Sequence, residues 1–254
     1  MDFDFYNWLL VFIRVGAFLY VLPFFSATNF PVTMRVALAA LVALLLSPLL
    51  PPFPLGRLEL IPIVGVVFQE VCIGLLLGFV SRMVFFAVDL AGNIITAEMG
   101  LNLAAVFNPL TRESTQAPGM ILFFLAAVVM LSLDLHHWML LGFERTYAVL
   151  PIGGGHLSSA LFETVVKHTS TIFVIAVQIS APLIAVSFVI LLIFSILSRA
   201  VPQMNVFSES FLFRIVGGLI VFGFTLNLAA QHVLNGLRRL PDDLLVVGQL
   251  LGVR

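Results

Sequence analysis

The sequence predicts an all-α, polytopic membrane-type protein of about six to seven long helices. Hydrophobic residues make up 61% of the 254-residue chain and charged residues only 10%, whereas roughly a quarter of a soluble domain is charged. Mean hydropathy is +1.15. Several apolar runs also reach the length of about 20 residues that a spanning helix needs. Residues 1–254 read as one membrane domain with no soluble domain.

The clearest runs are 8–25, 32–50, 60–81, 119–141, 172–197 and 211–230, with 83–107 a more polar seventh. The first is read as a retained helix, because a secretory signal begins with positive charge and here Asp2 and Asp4 precede the run. Prolines punctuate the chain. Pro23 and Pro31 bracket the turn after the first helix, and Pro48 to Pro54 ends the second. Asn108-Pro109 ends the polar seventh run. Pro118 opens the next helix, a position where its missing N–H costs nothing. Pro151-Ile-Gly153-Gly154-Gly155 is a turn, and Pro202 marks a break after Arg199.

Small residues supply the packing signal. Gly74 and Gly78 make a G-x-x-x-G. Ala37, Ala40 and Ala43, then Gly217, Gly218 and Gly223, mark other faces. Such residues let membrane helices approach closely, although glycine is also simply frequent in such helices.

Charge excludes some functions. The net charge is −1, and no basic patch offers a nucleic-acid surface. Of 12 basic residues only Lys167 is not arginine, and they are scattered along the chain. The clustering in alternate loops that orients ordinary membrane helices is not seen. The lone Cys72 sits in an apolar run and reads as a packing residue.

Polar residues inside the apolar runs are the candidate functional groups. Arg82, Asp89, Asn93, Thr96 and Gly100 fall near one helical face, and Glu98 and Asn102 make an i,i+4 pair on another side. Ionisable groups at membrane depth cost at least about 2.5 kcal/mol and therefore face protein or water. The face around Arg82, Asp89 and Asn93 is either a pathway lining or a surface buried against partner subunits; amides and threonine, which suit interhelical hydrogen bonds, favour the second. Asn227, Gln231, Asn235, Arg238 and Arg239 form another stripe, either a helix leaving the apolar zone or a subunit contact. Glu70 has Arg57 or Arg82 as candidate partners. Asp134-Leu-His136-His137-Trp138 has metal-binding residue types, but adjacent histidines do not share a helix face, so a helix-end or interfacial anchor is preferred. No H-E-x-x-H, G-x-S-x-G or Walker A motif is present. An enzyme is not expected, and neither a cofactor nor a metal.

Four stretches resemble the FliR family of flagellar export-gate proteins and their injectisome relatives. They are Pro31-Val-Thr-Met-Arg35-Val-Ala-Leu38-Ala, Ala91-Gly92-Asn-Ile-Ile-Thr-Ala-Glu98-Met99-Gly100-Leu, Leu150-Pro151-Ile-Gly153, and Arg199-Ala-Val-Pro202-Gln203-Met204-Asn205-Val206-Phe207. The last is the most specific and leans toward the flagellar branch. Length and segment order fit over nearly the whole chain. Two departures stand out: the family usually has Gln where Glu98 stands, and Gly and Pro where Ser210 and Leu212 stand. The second removes a helix breaker.

The resemblance implies more than composition can. It implies inclined helical hairpins assembled with FliP- and FliQ-type subunits, and with an FlhB-type switch protein, around a conduit for unfolded flagellar proteins. It implies the bacterial inner membrane, at the flagellar basal body. It also implies that the loop Asn108, Pro109, Thr111, Arg112, Glu113, Ser114, Gln116, Pro118 projects into the pore and helps to plug it; the plain alternative is an external loop. A self-contained secondary transporter of a small solute is the rival reading, although the repeated broken helices of such carriers are not visible.

Overall fold

The computed structural model describes residues 4–23, 25, 30–53, 60–102, 116–156 and 158–252. Among these there are seven α-helices and no strand: α1 Phe5–Val21, α2 Val32–Leu46, α3 Leu60–Glu98, α4 Ala117–Ser132, α5 Leu135–Val149, α6 Ser159–Ala200 and α7 Val206–Gly252, with a 3₁₀ turn at Ser47–Leu49 after α2. The fold is all-α, as the sequence predicts.

Among the described residues, four helical segments are each long and apolar enough to cross a membrane: Val32–Leu49, Ile61–Glu98, Ser159–Ala200 and Ser208–Gly252. The expected segmentation is corrected in several places. Run 60–81 and the first part of run 83–107, as far as Glu98, form one 39-residue helix, α3, because nothing between them breaks a helix. That helix stops at Glu98, well before the expected Asn108-Pro109. Run 119–141 is instead broken between α4 and α5. Runs 172–197 and 211–230 lie inside helices of 42 and 47 residues, which continue through Pro182 and Pro241. At about 1.5 Å per residue, α3, α6 and α7 have contour lengths of about 58, 63 and 70 Å, against a hydrocarbon core of about 30 Å.

The chain divides into two compact units. The first comprises residues 1–83, 134–169 and 238–254. Here α1 starts at Asp4, whose side chain accepts from the backbone N–H groups of Tyr6 and Asn7 and so caps orphan donors. Leu10, Val11, Val15, Phe18 and Leu19 of α1 are buried, and Phe18 stacks on Phe143 of α5 with ring centroids 4.3 Å apart. Gly74 and Gly78 are close-approach positions, as expected. A Cβ on Gly74 would strike the Arg14 carbonyl, and one on Gly78 would lie 2.9 Å from the Phe18 carbonyl. The end of α7 is secured by His156, whose N–H donates to the Leu251 carbonyl at 2.8 Å, and by Ser158, whose hydroxyl donates to the Leu250 carbonyl at 3.3 Å. These satisfy carbonyls that a helix end otherwise leaves unpaired.

The second unit comprises 84–133 and 170–237. Pro118, Gly119, Leu122, Ala126 and Met130 form the buried face of α4, at the spacing of one helical stripe. Phe85 meets Phe123 edge-on, and Phe194 packs on Phe213. Gly217 lies near Ile190 and Gly218 against Met99, whereas a Cβ on Gly223 would meet no described residue within 4 Å. Large apolar side chains remain exposed on both units, among them Ile61 at 83%, Phe68 at 69% and Phe224 at 82%. Apolar exposure on this scale calls for lipid or protein as neighbour, not water.

Candidate functional site

Three constructions gather the residues singled out in the sequence, and the first depends on Arg14, which no sequence motif marks. Arg14 and Glu70 are both fully buried and form a bidentate ion pair: Arg14 Nε donates to Glu70 Oε2, and Arg14 Nη2 donates to Glu70 Oε1 at 2.9 Å. Arg57 lies outside the described residues, and Arg82 donates to the Val21 carbonyl at 3.5 Å. The expected pairing of Glu70 with Arg82 is therefore corrected to Arg14.

The pair clamps the motif loop. Arg14 Nη1 donates to the Leu150 carbonyl at 2.9 Å and Nη2 to the Pro151 carbonyl at 3.4 Å. Glu70 Oε1 accepts from the Gly153 N–H at 2.9 Å. The guanidinium face stacks over Tyr147, 4.3 Å from the ring centroid, adding a cation–π contact. Gln69, one residue before Glu70, donates to the Gly155 carbonyl. Gly153 has φ +70, and a Cβ there would meet the Phe53 ring at 2.9 Å; both facts require glycine. The Leu150–Gly155 turn is thus fixed by two charges from two other helices. Beside it is a largely apolar cavity of about 370 Å³, bordered by Phe68, Gln69, Cys72, Gly155 and His156.

The second construction ends α3. Leu101 N–H donates to the Thr96 carbonyl, and Gly100 N–H to the Ala97 carbonyl, each at 3.0 Å. With Gly100 at φ +75, this is a Schellman cap. A Cβ on Gly100 would meet Phe211 at 3.0 Å and Arg214 at 3.3 Å. Met99 is buried against Gly218, and Ser187 donates to the Glu98 carbonyl at 3.1 Å. Earlier in α3, a Cβ on Gly92 would overlap the backbone of Gly119 in α4. Asn102 lies beyond the cap, so it does not continue Glu98's helix face. Thr96 is buried and donates to the Gly92 carbonyl at 2.7 Å; Asp89 and Asn93 are exposed within this chain and Arg82 is half-buried. Asn227, Gln231, Asn235, Arg238 and Arg239 are all exposed on α7.

The third construction joins α6 to α7. Arg199 lies in the last turn of α6. Val201-Pro202-Gln203-Met204 is a turn closed by Met204 N–H to the Val201 carbonyl at 3.0 Å, with proline in its favoured second position. Asn205 caps α7, its Oδ1 accepting from Ser208 N–H at 3.4 Å. Phe207 falls in the first turn of α7, which continues unbroken past Ser210 and Leu212. Elsewhere, Pro31 precedes α2, its carbonyl accepting from the Arg35 N–H, and Arg35 lies over the Tyr20 ring at 5.6 Å. Of the expected plug loop, Gln116 is exposed and Pro118 buried. Asn108, Pro109, Thr111, Arg112, Glu113 and Ser114 lie outside the described residues.

Residues 5–240 match the family described as Bacterial export proteins, family 1. The chain belongs to this family. It is 32% identical over 204 residues to the flagellar biosynthetic protein FliR of Bacillus subtilis, covering 78% of each chain. It is 28% identical over 243 residues to FliR of Escherichia coli, covering 94% of this chain and 92% of the relative. FliR of Pectobacterium carotovorum is 27% identical over 253 residues, covering 96% of both. With its long apolar helices, this family member is a membrane protein. The Leu150–Gly153, Met99-Gly100 and Arg199–Phe207 motifs that carry the resemblance serve as turns and caps in the fold.

Proposed function

We propose that the chain is a subunit of the flagellar type III protein export gate. It resides in the bacterial inner membrane at the basal body and does no covalent chemistry. The observation that carries this reading is the match of nearly the whole chain to export proteins, including relatives named flagellar biosynthetic protein FliR. The exposed apolar faces of α2, α3, α6 and α7 fit a protein that packs against lipid and other subunits. In this reading FliP- and FliQ-type subunits complete the conduit for unfolded flagellar proteins, and an FlhB-type switch protein docks on it. Asp89 and Asn93 are exposed in the single chain and become subunit contacts. The loop from Asn108 to Pro118 restricts the pore.

Co-expression with FliP- and FliQ-type proteins of the same organism tests this. The expected result is one stable complex by native mass measurement, and restored swimming of a strain lacking its own homologue. A chain that purifies alone and transports a small solute unaided would sink the proposal. Deleting 111–116 should leave the complex assembled yet leaky to small ions. Unchanged conductance would make that loop an ordinary connector.

A further inference from the structure

The break between α4 and α5 holds a cluster outside the three constructions described above. Asp134, His136 and His137 offer a carboxylate oxygen and two imidazole nitrogens, all within 4.8 Å of one another. On a regular helix adjacent histidines diverge by about 100°. Here they stand at the second and third positions of α5, after a residue with φ 53, and their ring centroids are 4.0 Å apart.

We propose that Asp134, His136 and His137 bind one divalent transition-metal ion of the zinc class. Two further observations point to a ligand. Asp134 is the N-cap residue of α5, yet its carboxylate makes no cap hydrogen bond; it turns instead toward His137 Nδ1, 3.6 Å away. Its left-handed backbone is a conformation that non-glycine residues adopt at a cost. His136 Nδ1 is buried and has no hydrogen-bond partner among the described residues, and a bound ion at this nitrogen would remove the cost of leaving it unpaired.

The donor set matches the ion. Two imidazoles and one carboxylate suit zinc, nickel or copper better than calcium or magnesium. Zinc binds such ligands at about 2.0–2.2 Å, so their atoms must draw closer than they lie here. The Asp134 and His137 side chains are 74% and 65% exposed and free to make that adjustment. Three protein ligands leave a coordination position open for water or for a fourth donor from elsewhere. The helix N-terminus opposes a cation, and the carboxylate offsets it.

The test is zinc titration by calorimetry of the full chain in detergent, carrying an affinity tag without histidine. One equivalent should bind. Asp134→Asn and His137→Asn should each weaken binding by at least the ten- to hundredfold that loss of an outer-shell partner causes, whereas His232→Asn should not. Copper should quench the fluorescence of the neighbouring Trp138 in the wild type and not in His137→Asn. All the site variants change exposed groups, and an unchanged elution profile verifies their fold. The absence of saturable zinc binding would overturn the proposal. So would binding that survives both site substitutions, or binding that falls equally in His232→Asn.

Discussion

The Arg14 guanidinium and the Glu70 carboxylate meet without solvent, 56 residues apart in sequence, and together hold a turn some 80 residues beyond Glu70. Ionised groups of this kind are tolerated in an apolar interior only when paired and otherwise satisfied. Here the guanidinium uses Nε, Nη1 and Nη2 on Glu70 and two carbonyls, and its face lies on Tyr147.

Arg14→Leu should therefore be more damaging than its size suggests. Removing one partner of a buried pair strands the other and costs about 3–5 kcal/mol. Among the described residues Glu70 keeps only the Gly153 N–H, so the loss should fall near the top of that range. Glu70→Gln should cost less, since an amide oxygen still accepts from Arg14 or Gly153. The double change Arg14→Met with Glu70→Leu should recover much of the loss. Thermal unfolding in detergent checks the set; losses that simply add would show that the two residues act independently.

This site is legible in the sequence only in part. An anion in the middle of one apolar run and a cation in another are a signal of pairing, and Glu70 stands out for that reason. Arg57 and Arg82 are the cations close to it in sequence, yet α1 supplies the partner through helix packing that Gly74 and Gly78 permit. The glycine step is visible in the sequence; which helix it meets is not. Composition alone marks the turn at Gly153, but φ +70 and the Phe53 ring that enforce glycine there belong to tertiary structure. The merger of two apolar runs into α3 is hidden because a change of polarity does not break a helix. The break at Asp134 is hidden for the opposite reason: no proline or glycine marks it.

Gly100→Ala should destabilise the end of α3. The position combines a left-handed backbone, costing an L-residue about 1–2 kcal/mol, with contacts at 3.0 Å to Phe211 and 3.3 Å to Arg214. Gly223→Ala is the control. A Cβ there meets no described residue within 4 Å, and replacing a mid-helix glycine by alanine gains about 0.5–1 kcal/mol. Melting temperatures should therefore move in opposite directions. A shift of the same sign in both would disprove the cap's importance.

The turn between α6 and α7 should depend more on Asn205 than on Pro202. Asn205 caps α7, and losing such a cap costs about 1 kcal/mol. Pro202 only restricts a turn already closed by a backbone hydrogen bond, a preference worth about 0.4–1 kcal/mol. Asn205→Leu is expected to reduce swimming and recovery of assembled complex, Asn205→Asp to preserve both, and Pro202→Ala to fall between. Equal swimming in Asn205→Leu and wild type would remove the cap from the argument.

Gly92 and Gly119 face each other where α3 crosses α4, but they are not equivalent. A Cβ built on Gly92 would overlap the Gly119 backbone, which has no side chain to rotate away. A Cβ built on Gly119 would stop 3.7 Å from Gly92 Cα, an ordinary contact. The asymmetry arises from the crossing itself: the Cβ direction of one helix points across the interface while that of the other passes beside it. Gly92→Ala must therefore push the helices apart, loosening the contact between buried Phe85 and half-buried Phe123. Overpacking of this kind costs about 1–3 kcal/mol. Gly119→Ala asks for no movement and adds a methyl in the first turn of α4, so it should be neutral or slightly stabilising. The pair is measured by thermal unfolding of the two single variants and by swimming on soft agar. Gly92→Ala should lower both, and Gly119→Ala should leave both unchanged. The reverse order, or equal effects, would mean that the crossing lies elsewhere on α3.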